Sequence, residues 1–461
     1  MSAIDKLTQR LPHRLAALAA LVMDLRWTWN HCGDTVWRAI DAEAWERTRN
    51  PYLILTGVSE QRLAQLAEDS AFLRLLDQLL AAHRAYRERA SWWSAQSHPE
   101  LRGVAYFSME FGLSDVLPIY AGGLGVLAGD YLKTASDLGV PVSGVGLLFD
   151  QGYLRQRLDA EGGQQVLHPH NEPQNLPIEA VPGSEGTQLS VEIHLPGRTV
   201  LLRAWKAQVG RVSLYLLDSN HPWNSPADRA ITDRLYSGDL EQRLLQEIAL
   251  GVGGWRLIEA LKLPIDLCHL NEGHAALAAV ERACAVQRRE RLNFDEALWA
   301  TRAGNIFTTH TPVPSGFDIY PRDLVLKYGR GYALEAGIDE GALMGLGGAP
   351  QFSGGGFNMA VLAAHCCSTI NGVSRRHGQT SRRIFAPLYP RWPLDQIPVT
   401  HVTNGVHMPS WDSAHADLLW SESCGVMRWL GDTAELEARV SALDDKALWS
   451  LKGDERLELV R

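Results

Sequence analysis

Gly122, Gly123 and Gly125 stand in the run YAGGLGVLAGD (120–130), directly before an apolar-periodic stretch that reads as a helix start. Glycine has no Cβ, so a ligand can come close to the backbone there. Unpaired N–H groups at a helix N-terminus attract anions, most often phosphate. Three polar clusters follow short apolar runs elsewhere in the chain. Asn271, Glu272 and His274 follow one in LCHLNEGHAALAAV, His310 ends one in NIFTTHTPVPSGFD, and Asn404 and His407 follow one in VTHVTNGVH. In open α/β sheets, ligands bind beyond the carboxyl ends of strands. Three polar strand ends and a glycine loop therefore predict one shared site that receives an anion.

Each cluster also has a plainer reading. Gly123-x-Gly125-x-x-Ala128 satisfies the dinucleotide pattern GxGxxA. However, Pro118 interrupts the preceding strand, and no acidic residue falls at the ribose-binding offset of about 20 positions. A dehydrogenase is disfavoured, and a strand-to-helix turn without a ligand stays open. Asn271 has the type and place of a simple helix cap. A lone histidine such as His310 is more often structural than catalytic, and Pro312 and Pro314 stiffen the exit behind it. Glu272 and His274 are two positions apart, the wrong spacing for a helical metal pair, so no metal site is expected. Arg375, Arg376, Arg382 and Arg383 suit phosphate or a charged partner, but a solvated helix face is the commoner arrangement.

Composition bounds the rest. A chain of 461 residues predicts two to three domains with ample core. The net charge of −9 argues against binding nucleic acid through phosphates, and it is compatible with a neutral substrate such as a carbohydrate. Fifteen Trp would suit sugar platforms, though core packing explains most of them equally well. The six Cys lack CxxC spacing and read as free thiols of a reducing compartment. Leu11, Leu15, Leu18, Val22 and Leu25 repeat on one helical face. That stripe, with Asp24 and Arg26 close behind, reads as an amphipathic helix rather than a signal peptide. No run reaches the length of a membrane span, so a cytoplasmic protein without a membrane partner is expected.

The elements that must position these residues follow from periodicity. Residues 1–97 read as a helical domain, with a second long helix from Ser59, as N-cap, to Arg89. The polar stretch SAQSHPE marks its end. Residues 98–415 alternate short apolar runs with helical patterns, which predicts βαβ units and a parallel sheet. Candidate strands are Val104–Phe107, Val142–Phe149, Val212–Leu217, Ile265–Leu270, Asn305–Thr309 and Val399–Val402. Between 152 and 210 an antiparallel excursion is expected. Asp239 and Gln242 have capping-box spacing, and Leu244, Ile248, Val252 and Trp255 form the buried face of the helix behind them. The glycine-rich segment 341–357 reads as a mobile loop. Residues 416–461 are charged and helical, a linker toward a further domain.

Taken together, AYFSMEFGL, YAGGLGVLAGDYLKTASDLG, HLNEGHAALA, TTHTPVPSGFD, NGVSRRHG and VTNGVHMPSW resemble the α-glucan (glycogen or maltodextrin) phosphorylases, in order and over nearly the whole chain. The resemblance is closest to the bacterial branch with an extra helical N-terminal domain. It implies an α/β fold: a helical N-terminal domain followed by the first Rossmann-like domain of a GT-B glycosyltransferase. It implies reversible phosphorolysis of α-1,4-glucan to α-glucose 1-phosphate, pyridoxal 5'-phosphate as cofactor, inorganic phosphate as co-substrate and a homodimer. By the same resemblance, Gly122, Gly123 and Leu124 face the substrate phosphate. Tyr106 and Gly123 lie near the cofactor. His310 holds the glucosyl residue, its carbonyl facing the oxocarbenium-like centre. Val373 and Asn404 line the glucose pocket, and Asn271, Glu272 and His274 form the strand end beside it.

The family's cofactor lysine follows a Ser-Gly-rich turn in the second Rossmann-like domain. The seven lysines here (Lys6, Lys133, Lys206, Lys262, Lys327, Lys446 and Lys452) follow no such turn. The expectation is a truncated, split or degenerate enzyme that is inactive as these residues alone. Two alternatives stay open. A nucleotide-sugar glucan synthase usually has Lys before the double glycine, where this chain has Tyr120 and Ala121. The other alternative is a non-catalytic glucan-binding remnant.

Overall fold

In the computed structural model of the chain, the described residues are all except 1, 2, 97–99, 237, 349–353, 431, 432 and 461. The expected boundary between 97 and 98 lies outside the described residues.

Short helices fill the N-terminal part. The stripe Leu11, Leu15, Leu18, Val22 and Leu25 is buried throughout. It is not one helix: Ala3–Arg10 and Leu18–Met23 are separate helices, joined through a 3₁₀ turn that follows Pro12. Proline offers no N–H and clashes with the turn before it, which accounts for the break. The expected helix from Ser59 to Arg89 is likewise two, Glu60–Glu68 and Ser70–Glu88. Ser59 caps the first, and the Asp69 carboxylate accepts from Ala71 N and Phe72 N to start the second. A short polar side chain inside a helical pattern competes for backbone donors, so periodicity alone passes over it.

Among the described residues the central sheet has ten strands. In chain order the strands of the molecule are β1 (Val104–Phe107), β2 (Val142–Leu147), β3 (Arg155–Leu158), β4 (Gln164–Leu167), β5 (Glu179–Ala180), β6 (Ser190–Leu195) and β7 (Arg198–Val209). They continue with β8 (Val212–Asp218), β9 (Leu267–Asn271), β10 (Asn305–Thr309), β11 (Ile319–Tyr320), β12 (Phe357–Asn358), β13 (Thr369–Gly372) and β14 (Val399–His401). The sheet order is β14-β13-β10-β9-β1-β2-β8-β7-β5, with β6 beside β7. From β14 through β8 every pairing is parallel, and the expected antiparallel excursion is β5–β8. Strands β1, β9 and β10 are buried along most of their length, as strands covered on both faces must be.

The chain runs outward from β1 to β2 and β8, then returns to β1's other side at β9. The crevice at the carboxyl ends of β1 and β9 is therefore a topological switch point, where ligands of doubly wound sheets bind. The helix Gly123–Leu138 leaves β1 toward β2 and presents its N-terminus there. The helix that Asp239 caps spans Leu240–Ile248 and continues through a π-turn, 249–253, into Gly254–Ala260. Gln242 does not complete a capping box; its side chain bonds Ala230 O and Ile231 O instead.

The segment expected as a loop at 341–357 is largely otherwise. Glu340–Gly347 is a helix capped by Asp339, and Phe357–Asn358 is β12. Gly348 bridges Phe357, residues 354–356 form a turn as expected of a loop, and 349–353 lie outside the described residues. The helices Ala414–Cys424, Leu436–Ser441 and Asp445–Val460 follow the sheet.

Candidate functional site

Five parallel strand ends, those of β1, β9, β10, β13 and β14, open on one edge, and side chains tie them together. Asn271 ends β9 and is buried; its Nδ2 donates to Ser108 Oγ at 3.0 Å, bridging the switch point to the exit of β1. Its Oδ1 lies 2.6 Å from His310 Nε2. An amide oxygen can only accept, so the His310 proton sits on Nε2 and Nδ1 is left as an acceptor. Burial, with His377 nearby, lowers the His310 pKa to about 4, so the ring is neutral at pH 7.

Glu272 follows Asn271 in a left-handed conformation, φ 79°. Its carboxylate accepts from His310 N at 2.7 Å, Thr311 N at 3.0 Å, Thr311 Oγ1 at 3.0 Å and Gly273 N at 2.9 Å. Burial raises its pKa, against the pull of those donors. His274 Nε2 accepts from Met109 N at 3.0 Å, and burial holds its pKa well below the ordinary histidine value. Both side chains are engaged by the chain's own backbone donors. Both fix backbone, Glu272 at His310 and His274 at the exit of β1.

The next strand ends join on. His377 Nε2 is 3.2 Å from Thr311 O, and its Nδ1 accepts from Val373 N at 3.1 Å. Asn404 N donates to Val373 O at 3.1 Å, and the Asn404 side chain is exposed. On the other flank, Gly122 and Gly123 are exposed, and a Cβ built on either meets nothing within 4 Å. The first amides of their helix have no carbonyl one turn back to bond, as at any helix start. Gly122, Gly123, Leu124, His310, Val373 and Asn404 thus lie along the carboxyl edge of neighbouring parallel strands, a ledge at which Asn271 is the buried end of β9. Cavities of about 560 and 850 Å³ lie elsewhere, the first beside Tyr328 and Leu362, the second beside Trp29 and Trp429.

Tyr106 is enclosed. Its ring stacks on Tyr131 at 4.3 Å and meets Phe111 and His269 edge-on. His407 also turns inward: its N–H reaches Asp130 Oδ2 at 3.0 Å, and its Nε2 lies 3.1 Å from Asp137 Oδ2.

Sequence reasoning passed over Glu110, Ser108, Tyr236 and His377. The signal for the first two was a fourth polar strand end, since both follow β1 at once. His377 carried a signal too, three positions behind the Ser374 cap that holds its N–H. Tyr236 had none.

A family model described as a protein of unknown function (DUF3417) matches residues 11–117. A maltodextrin phosphorylase of Thermococcus litoralis is 39% identical over 97% of this chain and 53% of its own length. A glycogen phosphorylase of Mycobacterium tuberculosis is 42% identical over 89% of this chain and 50% of its own. One of Aquifex aeolicus is 32% identical over 94% and 60%. The chain is a homologue of the α-glucan phosphorylases. It spans about half the length of the curated relatives it matches. Its helical N-terminal region and mostly parallel sheet are those of a Rossmann-like half of the GT-B architecture. Among the described residues no helix is long and apolar enough to cross a membrane.

Kinship with phosphorylases implies pyridoxal phosphate. That group needs a lysine amine for its aldehyde and donors for its phosphate. The ledge has open glycine amides but brings no described lysine to them. Lys133, on the same helix, is enclosed, its Nζ 2.9 Å from Ser410 Oγ and 5.8 Å from the Trp29 ring. The described residues offer such a group open backbone amides but no amine to attach it.

Proposed function

We propose that this chain carries the phosphate- and glucan-facing wall of an α-glucan phosphorylase. The reaction moves the anomeric carbon of a terminal glucosyl unit from its neighbour's O4 to a phosphate oxygen, and a proton goes to that O4. In this reading the Gly123 and Leu124 amides offset the phosphate charge at the helix N-terminus, while the Gly122 amide, expected to join them, is taken by the Glu110 carboxylate at 3.2 Å. His310, neutral and held by Asn271, accepts a sugar hydroxyl at Nδ1. Its backbone, fixed by Glu272, directs the carbonyl dipole at the carbon that becomes positive. Val373 and Asn404 border the sugar, and Asn271, Glu272 and His274 hold the strand end beside it. Gly123 leaves room for the cofactor's phosphate as well as the substrate's, with Tyr106 behind it.

The observation that carries the reading is a set of hydrogen bonds that spans the edge: the Glu110 carboxylate accepts the Gly122 amide at 3.2 Å, the Glu110 carbonyl accepts from Ser108 Oγ at 2.8 Å, and Asn271 bonds both Ser108 and His310. It sets an anion-seeking helix end and a neutral imidazole on one edge. Five of six cysteines are buried and none is paired, which supports a reducing cytoplasmic setting. The homodimer is part of the same proposal and rests on kinship alone. Tyr120 Oη donates to Asp115 Oδ1 at 2.7 Å where a nucleotide-sugar enzyme would place a lysine, so that reading is not favoured.

The experiment is to titrate maltoheptaose and inorganic phosphate into the purified chain and to assay glucose 1-phosphate with pyridoxal phosphate present. Binding of both ligands, each tighter in the presence of the other, supports the proposal. Binding of neither, or of a nucleotide sugar instead, overturns it.

A further inference from the structure

The glycine loop is held by one buried carboxylate. Glu110 is 3% exposed, and its Oε2 accepts from Ala121 N at 2.7 Å and Gly122 N at 3.2 Å. Its Oε1 accepts from Tyr236 Oη at 2.7 Å. A Cβ built on Gly125 would stand 2.6 Å from Oε2, so the space beside the first helical turn is filled by this carboxylate. Gly112 N donates to Gly125 O at 2.7 Å and clamps the same turn to the segment that carries Glu110. Tyr236 reaches Glu110 from a left-handed backbone conformation, φ 55°, which disfavours any residue but glycine. The Arg243 guanidinium covers the Tyr236 ring at 4.7 Å, and its Nη2 bonds Asp318 Oδ2 at 3.1 Å. Strain, burial and three hydrogen-bond partners converge on a group that touches no substrate in the proposed reaction.

We propose that Glu110 is the positioning residue of the anion loop: by taking the Ala121 and Gly122 amides it directs the next two, of Gly123 and Leu124, outward to phosphate. The inference rests on the phosphorylase reading only for the identity of that anion. The arrangement has a cost, because the carboxylate is itself an anion near the helix end and opposes the one that binds. Geometry and charge can therefore be separated. In Glu110→Gln the amide oxygen still accepts from the loop and the amide NH₂ can donate to the Tyr236 oxygen, while the charge is gone. In Glu110→Ala the loop amides lose their acceptor altogether.

Two readouts on the full 461-residue chain test this. By hydrogen exchange, Ala121 and Gly122 should lose protection in Glu110→Ala, keep it in Glu110→Gln, and lose part of it in Tyr236→Phe, which removes one hydroxyl and leaves the core packed. By titration with inorganic phosphate, Glu110→Ala should weaken binding about tenfold and Glu110→Gln should bind at least as well as the parent. Maltoheptaose affinity should stay unchanged in both. Unchanged exchange at Ala121 and Gly122 in both Glu110→Ala and Tyr236→Phe overturns the proposal. So does phosphate binding that falls equally in Glu110→Gln and Glu110→Ala. If the parent chain binds no phosphate, the reading of the anion fails, while the exchange experiment still decides the role of Glu110.

Discussion

The Glu272 carboxylate accepts the backbone N–H of His310 at 2.7 Å, and the adjacent Asn271 accepts the His310 ring at 2.6 Å. Two neighbours at the end of β9 thus fix both the main chain and the side chain at the end of β10. Glu272→Ala leaves the His310, Thr311 and Gly273 amides without their acceptor. A buried orphan donor costs about 1–3 kcal/mol, and loss of the buried charge offsets part of the sum. A net destabilisation of about 3 kcal/mol is expected, read as a lower urea midpoint at unchanged slope. A change under about 0.5 kcal/mol would show that the latch is not structural.

His310 should be neutral throughout the physiological range. Its folded pKa is about 4 against the usual 6.5, with burial as the main cause. Between those values the unfolded chain binds the proton and the folded one does not. Stability from this residue is present above pH 6.5 and is lost as pH falls toward 4. Imidazole resonances of His310 followed by NMR should not titrate above pH 5.5, or about 1.5 pH units above the midpoint. A midpoint near 6.5 would contradict the buried, Asn271-bonded geometry.

The loop helix allows a paired test. A Cβ at Gly129 would stand 2.2 Å from the Gly112 carbonyl oxygen, a backbone atom with nowhere to move, whereas one at Gly123 meets nothing. Gly129→Ala should cost about 2–3 kcal/mol in unfolding free energy. Gly123→Ala should fold within about 0.5 kcal/mol of the parent. Its methyl would stand where the anion approaches, so phosphate affinity should drop severalfold without any loss of stability. Equal stability of the two variants would show that the loop helix and the Gly112 segment are not in close contact.

Lys133 gives a second pH signature. Burial lowers its pKa from 10.5 to about 8, with Asp130 resisting. The unfolded chain holds this proton more tightly, so stability rises as pH climbs from 8 to 10.5, and the full penalty of about 3 kcal/mol applies below 8. Lys133→Met should therefore be more stable than the parent at pH 7, and the gap should close by pH 10.5. A gap that does not vary with pH would place the ammonium in solvent.

Much of the site was legible because β strands announce their ends. Val104–Phe107 and Asn305–Thr309 are apolar runs followed at once by polar residues, and the structure keeps those bounds. Caps were legible where a short polar side chain opens a periodic run, as at Ser59 and Asp239. Asp69 was not, because one residue that stops a helix and starts another leaves the apolar period nearly undisturbed. Glu110 and Tyr236 could not be paired from sequence. They lie 126 positions apart, and only the return of the chain from β8 to β9 brings them together. Spacing shows which residues end strands; the carboxylate that holds a loop across the switch point is set by the tertiary path.

In the proposed site, glycine-loop amides and polar strand ends seat an anion beside a hexose. Backbone amide NMR of the chain, titrated with inorganic phosphate and then with maltoheptaose, tests it most directly. Phosphate should shift Gly123 and Leu124, the glucan should shift Asn404 and His310, and each ligand should tighten the other. Phosphate shifts confined to Arg375 and Arg376, with Gly123 and His310 unmoved by either ligand, would contradict it.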